Sequence, residues 1–276
     1  ADNNVAMGYA AMATNTTGAN NTALGHYALE LNDTGSYNVS VGYYSLYNNV
    51  SAHGNTAIGY NALLENTTGI DNVAVGKDAL AANITTNNNT AVGKDAFGSL
   101  TTGHSSVAVG SSAGADVTTG VGNTCIGYDS GGAITEGGTN TCLGYQAGGY
   151  TGLTNAITTG SYNICIGTNV LANNSGADKQ IVIGYDYTGN GDNKVNFGSS
   201  GGYVWNSYTA NATWTQVSDE RTKKNIEEDS LGLEFINELR PVTFNWRHST
   251  EIDSDFIEET VNIGRGEKDT EITIHG

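Results

Sequence analysis

Proline is almost missing from this chain: its 276 residues hold one, Pro241. Charge is scarce as well, at 14% of residues against the quarter or so of an ordinary domain. What charge there is has mostly one sign, for a net of −17. Residues 1–217 contain only four cations, Lys77, Lys94, Lys179 and Lys194. No basic stripe exists to displace counterions from phosphates, which argues against a nucleic-acid partner. A helix needs a run of roughly 20 apolar residues to cross a bilayer. The sequence has no such run, so no membrane-spanning helix is expected. The N-terminus shows no cationic, apolar signal segment and opens directly on a repeat phrase, Asn4-Val5-Ala6-Met7-Gly8, as expected of a piece cut from something longer. Histidines and cysteines nowhere adopt metal-ligand spacing, so neither metal nor cofactor is expected.

Glycine, in contrast, is abundant and periodic. It returns every seventeen residues at Gly8, Gly25, Gly42, Gly59, Gly76, Gly93, Gly110, Gly127 and Gly144. Each closes a variant of Asn-Thr/Val-Ala-Ile/Val-Gly, as in Asn55-Thr56-Ala57-Ile58-Gly59. One longer step then leads from Gly144 to Gly167, and the regular step returns from Gly167 to Gly184. A short fixed period means that each unit is a rung unable to bury its own apolar face, which must stack on its neighbours.

Within a rung, Thr56 and Ile58 alternate with Ala57, the signature of a short strand. The small residue in the middle recurs throughout and fits a tight interior. Cys125, Cys142 and Cys165 occupy this same position and are expected to act as small buried hydrophobes. Three and four residues after the glycine comes a second apolar pair, Ala62-Leu63, echoed by Ala28-Leu29, Ala79-Leu80 and Ala96-Phe97. This pair reads as the other strand of the rung, followed by a polar turn often ending in Thr-Gly. The fold expected over residues 1–198 is therefore all-β, a parallel β-roll or narrow β-helix with one rung per glycine period. So thin a roll buries little by itself, which points to a homotrimer about the long axis. A tyrosine often follows the glycine (Tyr9, Tyr43, Tyr60, Tyr128, Tyr145 and Tyr185), forming either a stack along the rod or a set of flat faces for sugars.

This arrangement resembles the head of trimeric autotransporter adhesins and the β-roll segments of phage tail fibres, which use a comparable Asn-x-Ala-Ile/Val-Gly phrase. The period of seventeen is longer than that of the adhesin heads, so their turns do not transfer.

The period decays after Gly184. Phe197-Gly198 looks like a degenerate last rung, and residues 199–217 read as a Gly/Ser and aromatic linker with Trp205, Tyr208 and Trp214. Composition changes at Ser218, beyond which lie Arg221, Lys223, Lys224, Arg240, Arg247, Arg265 and Lys268. Leu231, Phe235 and Leu239 fall on one helical face, Arg240-Pro241 stops the helix, and Val242 to Trp246 alternates as a strand. Residues 218–276 are thus expected to be a small α+β module.

Ser218-Asp219-Glu220-Arg221-Thr222-Lys223-Lys224-Asn225-Ile226, followed by Leu239-Arg240-Pro241-Val242, resembles the intramolecular chaperone of phage tailspikes, tail fibres and endosialidases. That family trimerises, helps a β-rich shaft to fold and then cuts itself off as a serine peptidase. The resemblance implies that Ser218 is the nucleophile and first residue of the released piece, that the cut falls after Val217, that Lys223 is the partner base, and that His275 contributes. His275-Gly276 stands where a longer family stretch begins, so 218–276 is expected to be an incomplete module. A lysine can take a hydroxyl proton only when neutral, a state favoured by desolvation or by neighbouring cations such as Arg221 and Lys224.

These features imply a virion tail fibre or tailspike that attaches to a host receptor, with carbohydrate among the candidates, alongside other tail proteins. Its catalysis would be at most a single self-cleavage. The alternative is the head of a bacterial surface adhesin, which should continue into a coiled coil and a membrane barrel. A solenoid binding ice or carbohydrate alone would need no chaperone.

Overall fold

A computed structural model describes residues 2–209 and the backbone of 215–217. They form an all-β parallel solenoid. Twelve strands, each paired with the next in parallel, run from β1 (Val5–Met7), β2 (Thr22–Leu24), β3 (Val39–Val41), β4 (Thr56–Ile58), β5 (Val73–Val75) and β6 (Thr90–Val92) onward. They continue through β7 (Val107–Val109), β8 (Thr124–Ile126), β9 (Thr141–Leu143), β10 (Ile164–Leu171), β11 (Ile181–Thr188) and β12 (Lys194–Ser199). The register repeats the sequence period: Ala57 faces Ala74, and Ile58 faces Val75. β11 and β12 pair Gly184 with Gly198, so the shorter last step still completes a rung. The sheet then reverses into antiparallel β13 (Gly202–Ser207) and β14 (Thr215–Val217). The stretch read from sequence as a linker thus carries two strands.

The repeat glycines sit where neighbouring rungs approach closely. Gly59 has φ +139°, and a Cβ there would lie 2.4 Å from the carbonyl oxygen of Gly76. Only glycine meets both demands.

The expected second strand is not formed. Leu29, Leu46, Leu63, Leu80 and Phe97 all have left-handed φ, between 47° and 55°, within stacked turns. Alternate amides divide the bonding. The N–H groups of Leu63 and Glu65 donate to Ala79 and Ala81 in the next rung, whereas those of Leu64 and Asn66 close turns onto Asn61 and Leu63. A left-handed residue costs on the order of 1–2 kcal/mol. Burial of the leucine and the bond between rungs offset that cost, and the flexed backbone lets each short repeat close a coil around its strand.

Two columns of buried asparagine tie the rungs together. In the first, the Asn55 N–H donates to Asn38 Oδ1 at 3.0 Å and its amide donates to the Gly69 carbonyl at 2.8 Å. Asn72 repeats this pattern on Asn55 and Thr86. In the second, Asn32, Asn49, Asn66 and Asn83 each donate to the asparagine one rung earlier. These four side chains are fully buried, so the Asn-x-Ser/Thr sequons they begin are coil-building positions.

The small residues at strand centres do line the core, and the three cysteines are fully buried, free thiols. Their extra volume is compensated on the opposite wall. The leucine column gives way to Gly131 and Gly148, where a Cβ would lie 2.6 Å from Cys125 Sγ and 2.5 Å from Cys142 Sγ. The second asparagine column becomes Leu100, Val117, Ile134 and Ile157, all fully buried, the last two in the rungs of Cys125 and Cys142.

Candidate functional site

Each short strand has one face inside and one outside. Ala57 is buried while Thr56 and Ile58 look outward, a pattern that recurs from β2 to β9. The outward residue preceding each glycine is therefore a large aliphatic at the surface: Leu24 and Leu143 are each 43% exposed and Ile58 40%. Val92, Val109 and Ile126 continue the row, one per rung. These side chains form one apolar row along the described rungs.

Beside it runs the aromatic column that follows the glycines. Tyr9, His26, Tyr43 and Tyr60 stack in sequence, with ring centroids 5.0, 5.1 and 5.6 Å apart and planes within 22° of parallel. Lys77 Nζ lies 5.8 Å from the Tyr60 centroid at the end of this stack. Tyr27 and Tyr44 form a second stack alongside, edge-on to the first. Because the ring faces are turned toward one another, the column supplies cohesion between rungs, and its edges form the outer surface.

The buried thiols are chemically quiet. The hydrogen bond with Cys125 and burial push the Cys142 thiol well above its usual range, and the bond with Cys142 does the same for Cys165. Thiolate is the reactive form, so these cysteines act as core residues.

The sequence-derived cleavage site straddles the limit of the described residues. Val217 is the last residue of β14 and pairs with Tyr203. Ser218, Lys223 and His275 lie outside the described residues, as do Arg221, Lys224, Trp214 and the α+β module expected over 218–276. Sequence reasoning missed the outward aliphatic row as a surface, although the alternation at Thr56-Ala57-Ile58 contained its signal.

No curated protein and no solved structure matches the chain. Residues 218–264 match the family model described as the chaperone of endosialidase, a span that includes Ser218 and Lys223 and stops short of His275. That match implies assembly of the chain with copies of itself. A parallel β-solenoid leading into a chaperone-of-endosialidase segment fits a phage tail fibre or tailspike with a C-terminal chaperone domain.

Proposed function

We propose that this chain is the shaft and maturation module of a virion tail fibre or tailspike, a homotrimer that attaches the particle to a host surface and cuts itself between Val217 and Ser218. The observation that carries the reading is the family match itself, which begins at Ser218 and includes Lys223. Val217, immediately before Ser218, belongs to β14, which pairs with β13. A cut there leaves β14 on the shaft side, still paired to β13.

The chemistry follows from the position of the hydroxyl. Ser218 Oγ attacks the carbonyl carbon of Val217, and the peptide nitrogen leaves as the amine of Ser218. Water then hydrolyses the resulting ester to free the Val217 carboxylate. Lys223, neutral, takes the hydroxyl proton and returns it to the departing nitrogen, with His275 assisting. Each chain turns over once.

The need for a chaperone has a physical basis in the shaft. Near-identical rungs pair almost as well when slipped by one whole rung, so the repeats alone do not fix the stagger of neighbouring chains. A trimerising module fixes the stagger of three chains before the repeats zip. The outward aliphatic row then provides the face on which copies meet.

Intact mass spectrometry of the full-length protein tests the reading. The native chain should separate into a shaft ending at Val217 and a released C-terminal piece. Ser218→Ala should give an uncut trimer, and Lys223→Ala should slow the cut severely. A native trimer that keeps its full mass contradicts self-cleavage.

A further inference from the structure

Between Gly144 and Gly167 the repeat is lengthened, and the place of the insertion can be read by superposing the phrases. Gly148-Gly149 and Ala156-Ile157 correspond to Gly131-Gly132 and Ala133-Ile134 one rung earlier, so the inserted segment is 150–155. The loop leaves the coil and returns to it at one point. The Ile157 N–H donates to the Gly148 carbonyl at 3.0 Å, and a Cβ on Gly149 would touch the Ala156 methyl at 2.5 Å. Ile134 and Ile157 stay fully buried on either side, so the core runs past the insertion undisturbed. The Thr151 hydroxyl donates to the Asp116 carboxylate and ties the loop to the rod.

The loop carries Tyr150 and Leu153 onto the flank of the solenoid, where they wall a cleft of about 230 Å³ with Gln146, Asn169, Asp186 and Tyr187. Three of these residues, Gln146, Asn169 and Asp186, belong to one column, two places after successive rung glycines. In several other rungs this column closes on itself, although Asp95 pairs with Lys94 instead. Tyr27 stacks on Tyr44, the Asn61 amide donates to Asp78 Oδ1 at 3.0 Å, and the Gln146 amide donates to Asp129 Oδ2 at 3.4 Å. At the cleft the closure stops. Among the described residues, neither the Asn169 amide nor the Asp186 carboxylate has a side-chain partner, and no ring stacks on Tyr150.

We propose that this cleft binds a neutral sugar unit, a hexose or an N-acetylhexosamine. A planar amide and a carboxylate on adjacent rungs offer the paired donors and acceptors that neighbouring hydroxyls require. The uncovered tyrosine and Leu153 offer apolar surface to the C–H face of the ring. No cation lines the cleft and the chain is strongly acidic, which disfavours uronic, sialic or phosphorylated sugars. One carboxylate is too few for a calcium cage. The cleft is smaller than a typical drug-sized pocket, which suits a single ring. Its geometry comes from the insertion alone, whereas attachment to a host surface requires no particular sugar site.

Saturation-transfer NMR on the full chain tests it, with the methyl glycosides of glucose, galactose, N-acetylglucosamine and N-acetylgalactosamine as probes and N-acetylneuraminic acid as the anionic comparison. At least one neutral probe should receive saturation, and the anionic one should not. Deleting 150–155 restores the regular glycine step, so the variant should keep the native melting transition and lose the signal. Tyr150→Ala provides a second route if the deletion impairs folding, with binding weakened about tenfold, the scale of one good contact. Absence of saturation from every neutral probe, preferential saturation of the anionic sugar, or undiminished binding in the folded deletion or in Tyr150→Ala would overturn the proposal.

Discussion

Phe97 and Gly114 share one space. The phenyl ring fills the position where a side chain at Gly114 would begin, so that a Cβ there would lie 2.4 Å from Phe97 Cε1. In the preceding rungs the same column holds leucine against leucine, Leu63 against Leu80. One oversized residue is therefore balanced by an empty place in the next rung.

Gly114→Ala should accordingly destabilise the shaft by about 1–3 kcal/mol through overpacking, with its left-handed φ of 58° adding strain. Phe97→Leu in the same chain should recover part of the loss, because the space is shared. Denaturation midpoints of the two single variants and the double variant measure this coupling, and strict additivity would contradict it.

Asn55→Ala removes the acceptor of the Asn72 N–H and the donor to the Gly69 carbonyl. Both partners are inside the coil, and an orphaned buried polar group costs about 1–3 kcal/mol. Asn48→Ala serves as the control. Its amide reaches only the exposed Glu65 carboxylate, so the change should fall within about 0.5 kcal/mol. Equal effects of the two substitutions in urea unfolding would exclude the ladder as a source of stability.

The native chain holds the Cys142 and Cys165 protons more tightly than the unfolded chain does. A raised native pKa contributes stability below the unfolded thiol value of about 8.5, and that contribution is lost as pH rises above it. Melting temperature should fall on the alkaline side, and Cys142→Ala should flatten the slope. Iodoacetamide should leave all three thiols unmodified in the native protein and alkylate them in denaturant.

Much of the rung was legible in the sequence. The glycine period gives the register, and the alternation in Thr56-Ala57-Ile58 gives the strand with its inner and outer faces. The second strand was misread because an apolar pair such as Ala62-Leu63 states what is buried, not the sign of φ. The left-handed corner at Asn20, Asp71 and Asn88 carries residues that tolerate that conformation, but the leucine corner carries no such mark. The asparagine ladders were hidden for a related reason. A polar residue in every rung suggests surface until the backbone shows that each amide has a partner one rung away. The insertion after Gly149 was visible as a broken period, while the cleft it makes depends on where the loop lands. The Ser218–Lys223 motif was legible through its resemblance alone.

The outward row of Leu24, Ile58, Val92, Val109, Ile126 and Leu143 makes the trimer the most direct point of attack on the whole reading. Multi-angle light scattering on the Ser218→Ala chain, which remains whole, should give three times the 28.7 kDa chain mass. Ile58→Asp combined with Val92→Asp should place like charges on the shared face and lower that mass. A stable, monodisperse species of one chain mass would contradict the account.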